Sequence, residues 1–247
     1  MNSNRKITEL INENYVYGYI LYYLGIQFYD YSEKTLEEAC REQGLNVKSV
    51  IKSLEAVHLQ SDEENLTLRK YPIDLIIEYL IHAHYNFVKK RLPYLARLIE
   101  NLPPEPKYDV VINDLKFIFP IFVEDFIQHI YQEEDTFFYY IRLLNKANAK
   151  GCNFSELYYQ MEKNSVQSFA VEHDLHDDEM EGLKHITENF VVEEDAHLLF
   201  KVTLAELQNF QKELMIHAKI ENEILFPKAL ELEKKVKGNL RTKVRQN

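Results

Sequence analysis

His217-Ala218-Lys219-Ile220-Glu221-Asn222-Glu223-Ile224-Leu225-Phe226-Pro227 sets metal-ligating side chains among apolar ones in a single helical run. His217 and Glu221 are four residues apart, so on a helix they lie one above the other on a single face. That face is apolar. Leu207, Phe210, Leu214, His217, Glu221 and Leu225 follow one another at helical spacing, which puts two polar groups inside a hydrophobic stripe. Burying an ionised glutamate with no partner costs on the order of several kcal/mol. A metal ion partners imidazole and carboxylate together, although a core hydrogen bond explains one isolated pair better. The chain, however, repeats the device.

Working outward, the spacing predicts four long amphipathic helices. The first begins after Pro72 and runs to about Asn101, where Pro103-Pro104 and Pro106 break it. The second runs from about Val111 to Asn148, before Gly151; the third from about Ser155 to Phe190; the fourth from Glu194 to about Lys237, before Gly238. Four such helices with short connections read as an all-α, up-down-up-down four-helix bundle over residues 68–236. Residues 1–65 read as a small helical N-terminal domain. One of its helices, Tyr15 to Leu24, ends at Gly25; a second starts at Thr35-Leu36-Glu37-Glu38, capped by Thr35 or Ser32, and stops at Gly44. Asn46 caps a third, the polar stretch Gln60 to Asn65 is the linker, and residues 237–247 form a basic tail.

Each of the four helices carries histidine in its core stripe. The first reads Ile73, Ile77, Leu80, His84, Phe87, Arg91, Leu95 and Leu98. The second reads Leu115, Phe119, Phe122, Phe126, His129, Glu133, Phe137 and Tyr140, so His129 and Glu133 repeat the four-residue pair. The third offers Phe169, His173, His176, Met180 and Leu183. A lone core histidine is ordinarily structural and hydrogen-bonded, but core histidines on every helix with two core glutamates point to metal. Imidazole with carboxylate oxygen suits iron, with manganese or zinc behind it, and two carboxylates can bridge a metal pair.

Composition narrows the classes further. The chain has 247 residues, 46% of them hydrophobic, with only 6 glycines and 7 prolines, which disfavours turn-rich β architecture. A formal charge of −11 argues against nucleic acid and anionic membranes as partners. Cys40 and Cys152 form no disulfide framework and no metal spacing, Met1 to Leu10 has no signal-type apolar core, and Tyr15 to Phe28 is too short to span a bilayer. These features lead us to expect a soluble, cytoplasmic protein.

The motifs His129-Ile-Tyr-Gln-Glu133-Glu134, Glu172-His173-Asp174 and His217-x-x-x-Glu221-Asn222-x-x-Leu225-Phe226-Pro227 resemble those of hemerythrin-like di-iron proteins. More narrowly, they resemble the iron–sulfur cluster repair proteins, also described as regulators of cell morphogenesis and nitric oxide signalling. Gly25-Ile26-Gln27-Phe28 and Thr35-Leu36-Glu37-Glu38-Ala39-Cys40 extend the likeness to the small N-terminal domain of that family. The resemblance implies a centre of two non-haem iron ions, with His84, His129, His173 and His217 as terminal ligands and Glu133 and Glu221 as bridges. Counting back from Leu92-Pro93 selects Tyr85 instead of His84, while core periodicity selects His84 and leaves His82 in reserve. His176 is a neighbouring or structural residue on this reading, and Glu134 and Asp174 tune the ligands. The family's N-terminal domain carries adjacent cysteines where this chain has Tyr29-Asp30-Tyr31-Ser32, so chemistry that needs that cysteine pair is in doubt here.

Two functions are therefore expected to compete. One is a di-iron protein of the cluster-repair type acting under nitrosative or oxidative stress through iron, O2 or NO chemistry. The other is a non-enzymatic O2- or NO-binding sensor that signals to a protein partner through its N-terminal domain.

Overall fold

The computed structural model describes residues 1–56, 68–149, 154–174 and 180–246, with side chains at all of these except 154, 172–174 and 241–246. Among the described residues the chain is helical with no strand, apart from one isolated bridge between Lys6 and Thr35. The proposed linker at 60–65, together with His176 and Cys152, lies outside the described residues.

The N-terminal helices are α1 (Ile7–Glu13), α2 (Val16–Tyr23), α3 (Leu36–Glu42) and α4 (Val47–Glu55). Of the two cap candidates for α3, Thr35 is the one used. Its hydroxyl accepts from Glu38 N at 3.2 Å, while Glu38 Oε2 accepts from Thr35 N at 2.8 Å, a reciprocal capping box. Asn46 caps α4 by accepting from Ser49 N at 3.2 Å. Gly25 (φ 89°) and Gly44 (φ 67°) end α2 and α3 in the left-handed region that only glycine enters without strain.

The first long segment is α5 (Ile73–Asn86), a π-helical stretch π1 (Phe87–Arg91) and α6 (Leu92–Glu100). The second is α7 (Asp109–Gln132), π2 (Glu133–Phe138) and α8 (Tyr139–Asn148). The third departs from expectation, since in place of one helix to Phe190 there are α9 (Phe154–Lys163), α10 (Val166–Asp174) and α11 (Glu181–Ile186). The first break is chemical: Ser165 Oγ accepts from Ser168 N at 3.0 Å and starts α10 as a new helix. The end is a run of three positive-φ residues, Glu188, Asn189 and Phe190, held by Thr187, whose hydroxyl accepts from Phe190 N at 3.3 Å. The fourth segment is α12 (Leu198–Ile220), π3 (Glu221–Leu225) and α13 (Phe226–Gln246), and it runs past Gly238 through the expected basic tail.

The chain divides into two compact units, neither of them one run of sequence. The first comprises Met1–Glu63, Arg91–Phe119 and Gly182–Gln211; the second comprises Glu64–Lys90, Pro120–Glu181 and Lys212–Asn247. In the first, Tyr94 packs its ring 5.3 Å from Tyr19 and 5.0 Å from Tyr22, and Arg91 lies over the Tyr19 ring while pairing with buried Glu206 at 2.9 Å. Cys40 is buried there as a free thiol, and burial raises its pKa, as befits a packing residue. In the second unit Ile76, Ile77, Leu80, Phe137, Tyr140, Leu144, Leu225 and Phe226 form a core, with Phe137 stacked on Phe226 at 4.7 Å. Among the described residues no helix is long and apolar enough to cross a membrane.

Candidate metal centre

The second unit contains the polar interruption of its own core. On α5, Ile77, Leu80 and His84 are buried on one stripe that continues through Phe87, whereas His82 is exposed and Tyr85 is 56% exposed. From the other two segments come Glu133, at the first position of π2, and His217 and Glu221, on either side of the junction of α12 with π3. His84 is 2% and Glu221 1% exposed. One ligand atom each from His84, His217 and Glu221 lies within 4.8 Å of the others. Glu133 Oε2 lies 3.5 Å from His84 Nε2, Glu134 Oε1 lies 2.8 Å from His84 Nδ1, and His217 Nδ1 lies 3.2 Å from Glu221 Oε2.

Aromatic rings wall this group. His84 stacks on Phe138 at 5.7 Å with an interplanar angle of 4°, and Phe87 meets His217 edge-on at 5.5 Å. The His84 and His217 rings are 4.7 Å apart. Apolar walls lower the local dielectric, which strengthens any charge interaction inside and penalises any charge left alone.

The first, second and fourth segments each widen into a π turn beside this group, and the local sequence accounts for it. Pro93 and Pro227 stand two residues past the ends of π1 and π3. Each lacks an N–H and crowds the carbonyl four residues earlier, which a wider preceding turn relieves. No proline follows π2; there the Thr136 hydroxyl donates back to the Gln132 carbonyl, a contact that loosens a helix. The Leu92-Pro93 and Phe226-Pro227 pairs are the sequence signals that could have revealed these turns.

Electrostatics follow from the same burial. Burial disfavours the charged form of His84, but the carboxylates of Glu133 and Glu134 outweigh it and push its pKa up to about 9. Burial, and then the Glu221 carboxylate, raise the pKa of Glu133 to about 8 against the opposing pull of His84. Crowding two carboxylates in one dry pocket is unfavourable unless positive charge is shared between them. The donor set fits a transition metal on a second count. His84 Nε2 and His217 Nε2 are buried with no hydrogen-bond partner, a costly state for ring nitrogens that a metal ligand bond would remove.

The remaining expected residues are placed as follows. His129 is half-buried on α7, one turn before Glu133, and is not among the three residues whose ligand atoms converge. His173 belongs to α10, but its side chain, like that of Asp174, lies outside the described residues. Glu223 is exposed and faces Arg69 at 3.4 Å, away from the core.

Fold and site together define an all-α protein with a buried histidine–glutamate group suited to a transition metal. No family model matches the chain. It is similar over most of its length to a probable iron–sulfur cluster repair protein of Haemophilus influenzae, with 26% identity over 201 residues, covering 79% of this chain and 82% of the relative. The iron–sulfur cluster repair protein YtfE of Yersinia pseudotuberculosis is 23% identical over 199 residues, covering 80% of this chain and 84% of the relative. The chain is thus a homologue of the iron–sulfur cluster repair proteins.

Proposed function

We propose that the protein is a non-haem di-iron protein of the cluster-repair type that acts in the response to nitrosative or oxidative stress. One observation carries the reading: His84, His217 and Glu221 converge in an apolar pocket against Glu133, with both Nε2 atoms buried and lacking hydrogen bonds. Relatives named for cluster repair support it. On this reading residues 68–236 form a four-helix bundle, residues 1–65 a small accessory domain, and the protein works in the cytoplasm.

His84, His129, His173 and His217 would hold the two iron ions at their outer sides, and Glu133 and Glu221 would bridge them. Bound iron would supply open coordination positions and redox capacity toward a diatomic ligand such as O2 or NO. The chain's own part is to exclude water with Phe87, Phe126 and Phe138 and to keep two carboxylates close enough to share positive charge. Metal analysis and the absorption spectrum of anaerobically purified protein test this. Two irons per chain with oxo-bridge bands support it, whereas protein free of metal after iron-replete expression overturns it.

A second reading, a non-enzymatic O2 or NO sensor signalling to a protein partner, is favoured by Tyr29-Asp30-Tyr31-Ser32 standing where the repair family has cysteines. Reactivation of an NO-damaged iron–sulfur protein separates the two: restored activity supports repair, and tight NO binding without restoration supports sensing.

A further inference from the structure

We infer that Glu134 is the positioning residue of His84: it holds the Nδ1 proton and so aims the Nε2 lone pair into the metal pocket. The inference rests on the di-iron reading above and deepens it by assigning work to a side chain outside the ligand set.

An imidazole offers two nitrogens, and only the one without a proton can bind metal. Glu134 Oε1 lies 2.8 Å from His84 Nδ1. An ionised carboxylate can only accept, so Nδ1 carries the hydrogen of that bond. The lone pair of the neutral ring then falls on Nε2, the buried atom with no hydrogen-bond partner. Nε2 faces Glu133 Oε2 at 3.5 Å, and the ring plane is held by stacking on Phe138. Glu134 thus sets the ring orientation of His84 before any metal arrives and leaves Nε2 as the nitrogen whose proton a metal displaces. Carboxylates that bond the far nitrogen of a ligating histidine orient it and make it more basic.

The backbone explains how two consecutive glutamates reach one histidine. In an α-helix adjacent side chains diverge by ~100°. Glu133 and Glu134 instead open the π turn Glu133–Phe138, whose larger number of residues per turn reduces that angle. Glu133 enters the pocket while Glu134 stays at its rim, with its side chain 29% exposed. Replacing a rim residue of this kind leaves the core intact, so the variant should fold.

The experiment compares wild type, Glu134→Ala, Glu134→Gln, His84→Ala and the double variant His84→Ala/Glu134→Ala. Iron(II) affinity is measured by chelator competition, and the His84 Nδ1 proton is followed by 1H–15N NMR in metal-free protein. Glu134→Ala should weaken iron binding by ~10–100-fold, the usual effect of losing such a partner. Glu134→Gln, which keeps an acceptor for Nδ1–H, should recover most of that loss. In the His84→Ala background Glu134→Ala should have no further effect, because its contribution passes through the ring. The Nδ1 proton should be downfield and slow to exchange in wild type and lost in Glu134→Ala. Unchanged iron affinity in Glu134→Ala, a loss that persists without His84, or an unchanged Nδ1 proton overturns the inference. Failure of the wild type to bind iron would overturn the di-iron reading instead, and the NMR arm would still decide whether Glu134 holds the ring.

Discussion

His84 Nε2 and Glu133 Oε2 come from two different helices and meet at 3.5 Å, with side chains 3% and 6% exposed. A titratable pair so dry persists only where charge is shared, and this governs the expected behaviour of variants at the centre.

The bridging assignment makes Glu133 and Glu221 far more sensitive than a neighbouring glutamate. Glu133→Ala and Glu221→Ala should each lose most of the iron, measured as metal per chain after purification. Glu223→Ala should retain it, since Glu223 is exposed and pairs with Arg69. Equal iron in all three variants would refute the bridges.

On α5 the competing assignments separate cleanly by burial. His84→Ala should lower iron content or weaken one iron. Tyr85→Phe should leave both irons and the visible spectrum unchanged, and His82→Ala should be near neutral, because both residues are exposed. Loss of a charge-transfer band in Tyr85→Phe, or of iron in His82→Ala alone, would shift the assignment.

Metal-free protein should lose stability as pH rises from about 6 to about 9. The folded-state pKa of His84 is raised from 6.5 to about 9, so its stabilisation is complete below the unfolded value and disappears as pH passes the folded one. Glu133 is raised as well, from 4.5 to about 8, so its own contribution is lost between those values; the two losses overlap between about 6.5 and 8 and have the same sign. The combined fall should be on the order of a few kcal/mol. Thermal melts of chelator-treated protein should show it, and Glu133→Gln should flatten the slope. A melting temperature that climbs toward pH 9 would contradict the assignment.

In the first unit, Arg91 and Glu206 form a buried pair at 2.9 Å. Arg91→Ala should cost about 3–5 kcal/mol in denaturant unfolding, since it strands Glu206 in the core. The apolar double replacement Arg91→Met/Glu206→Leu should be close to wild type. A double variant as weak as the single one would show that the charges themselves are needed.

Two glycines give opposite expectations. A Cβ at Gly18 would stand 3.0 Å from Tyr94 Oη and 3.2 Å from the Phe28 ring, so Gly18→Ala should destabilise by about 1–3 kcal/mol. Gly182 in α11 has nothing within 4 Å, and Gly182→Ala should stabilise by up to about 1 kcal/mol. Denaturation midpoints measure both.

A sequence reports most directly what each helix does alone. The stripe Ile77, Leu80, His84, Phe87, Arg91, Leu95 is buried throughout, because helical periodicity assigns residues to a face without reference to any partner. The Thr35 and Asn46 caps, the glycine stops and the His217–Glu221 pair are likewise local chemistry. The break at Ser165 and the left-handed turn at 188–190 are local too, but an apolar stripe running through them masks the serine that starts a new helix. Only tertiary structure decided which helices face each other. It joined Tyr94 to Tyr19 and Tyr22, gave Arg91 its partner Glu206, and brought His84 against Glu133, Glu134 and His217. Periodicity fixes a direction around an axis, but convergence depends on the register and turn width of separate helices, and those are set by packing and by the π turns at Phe87, Glu133 and Glu221.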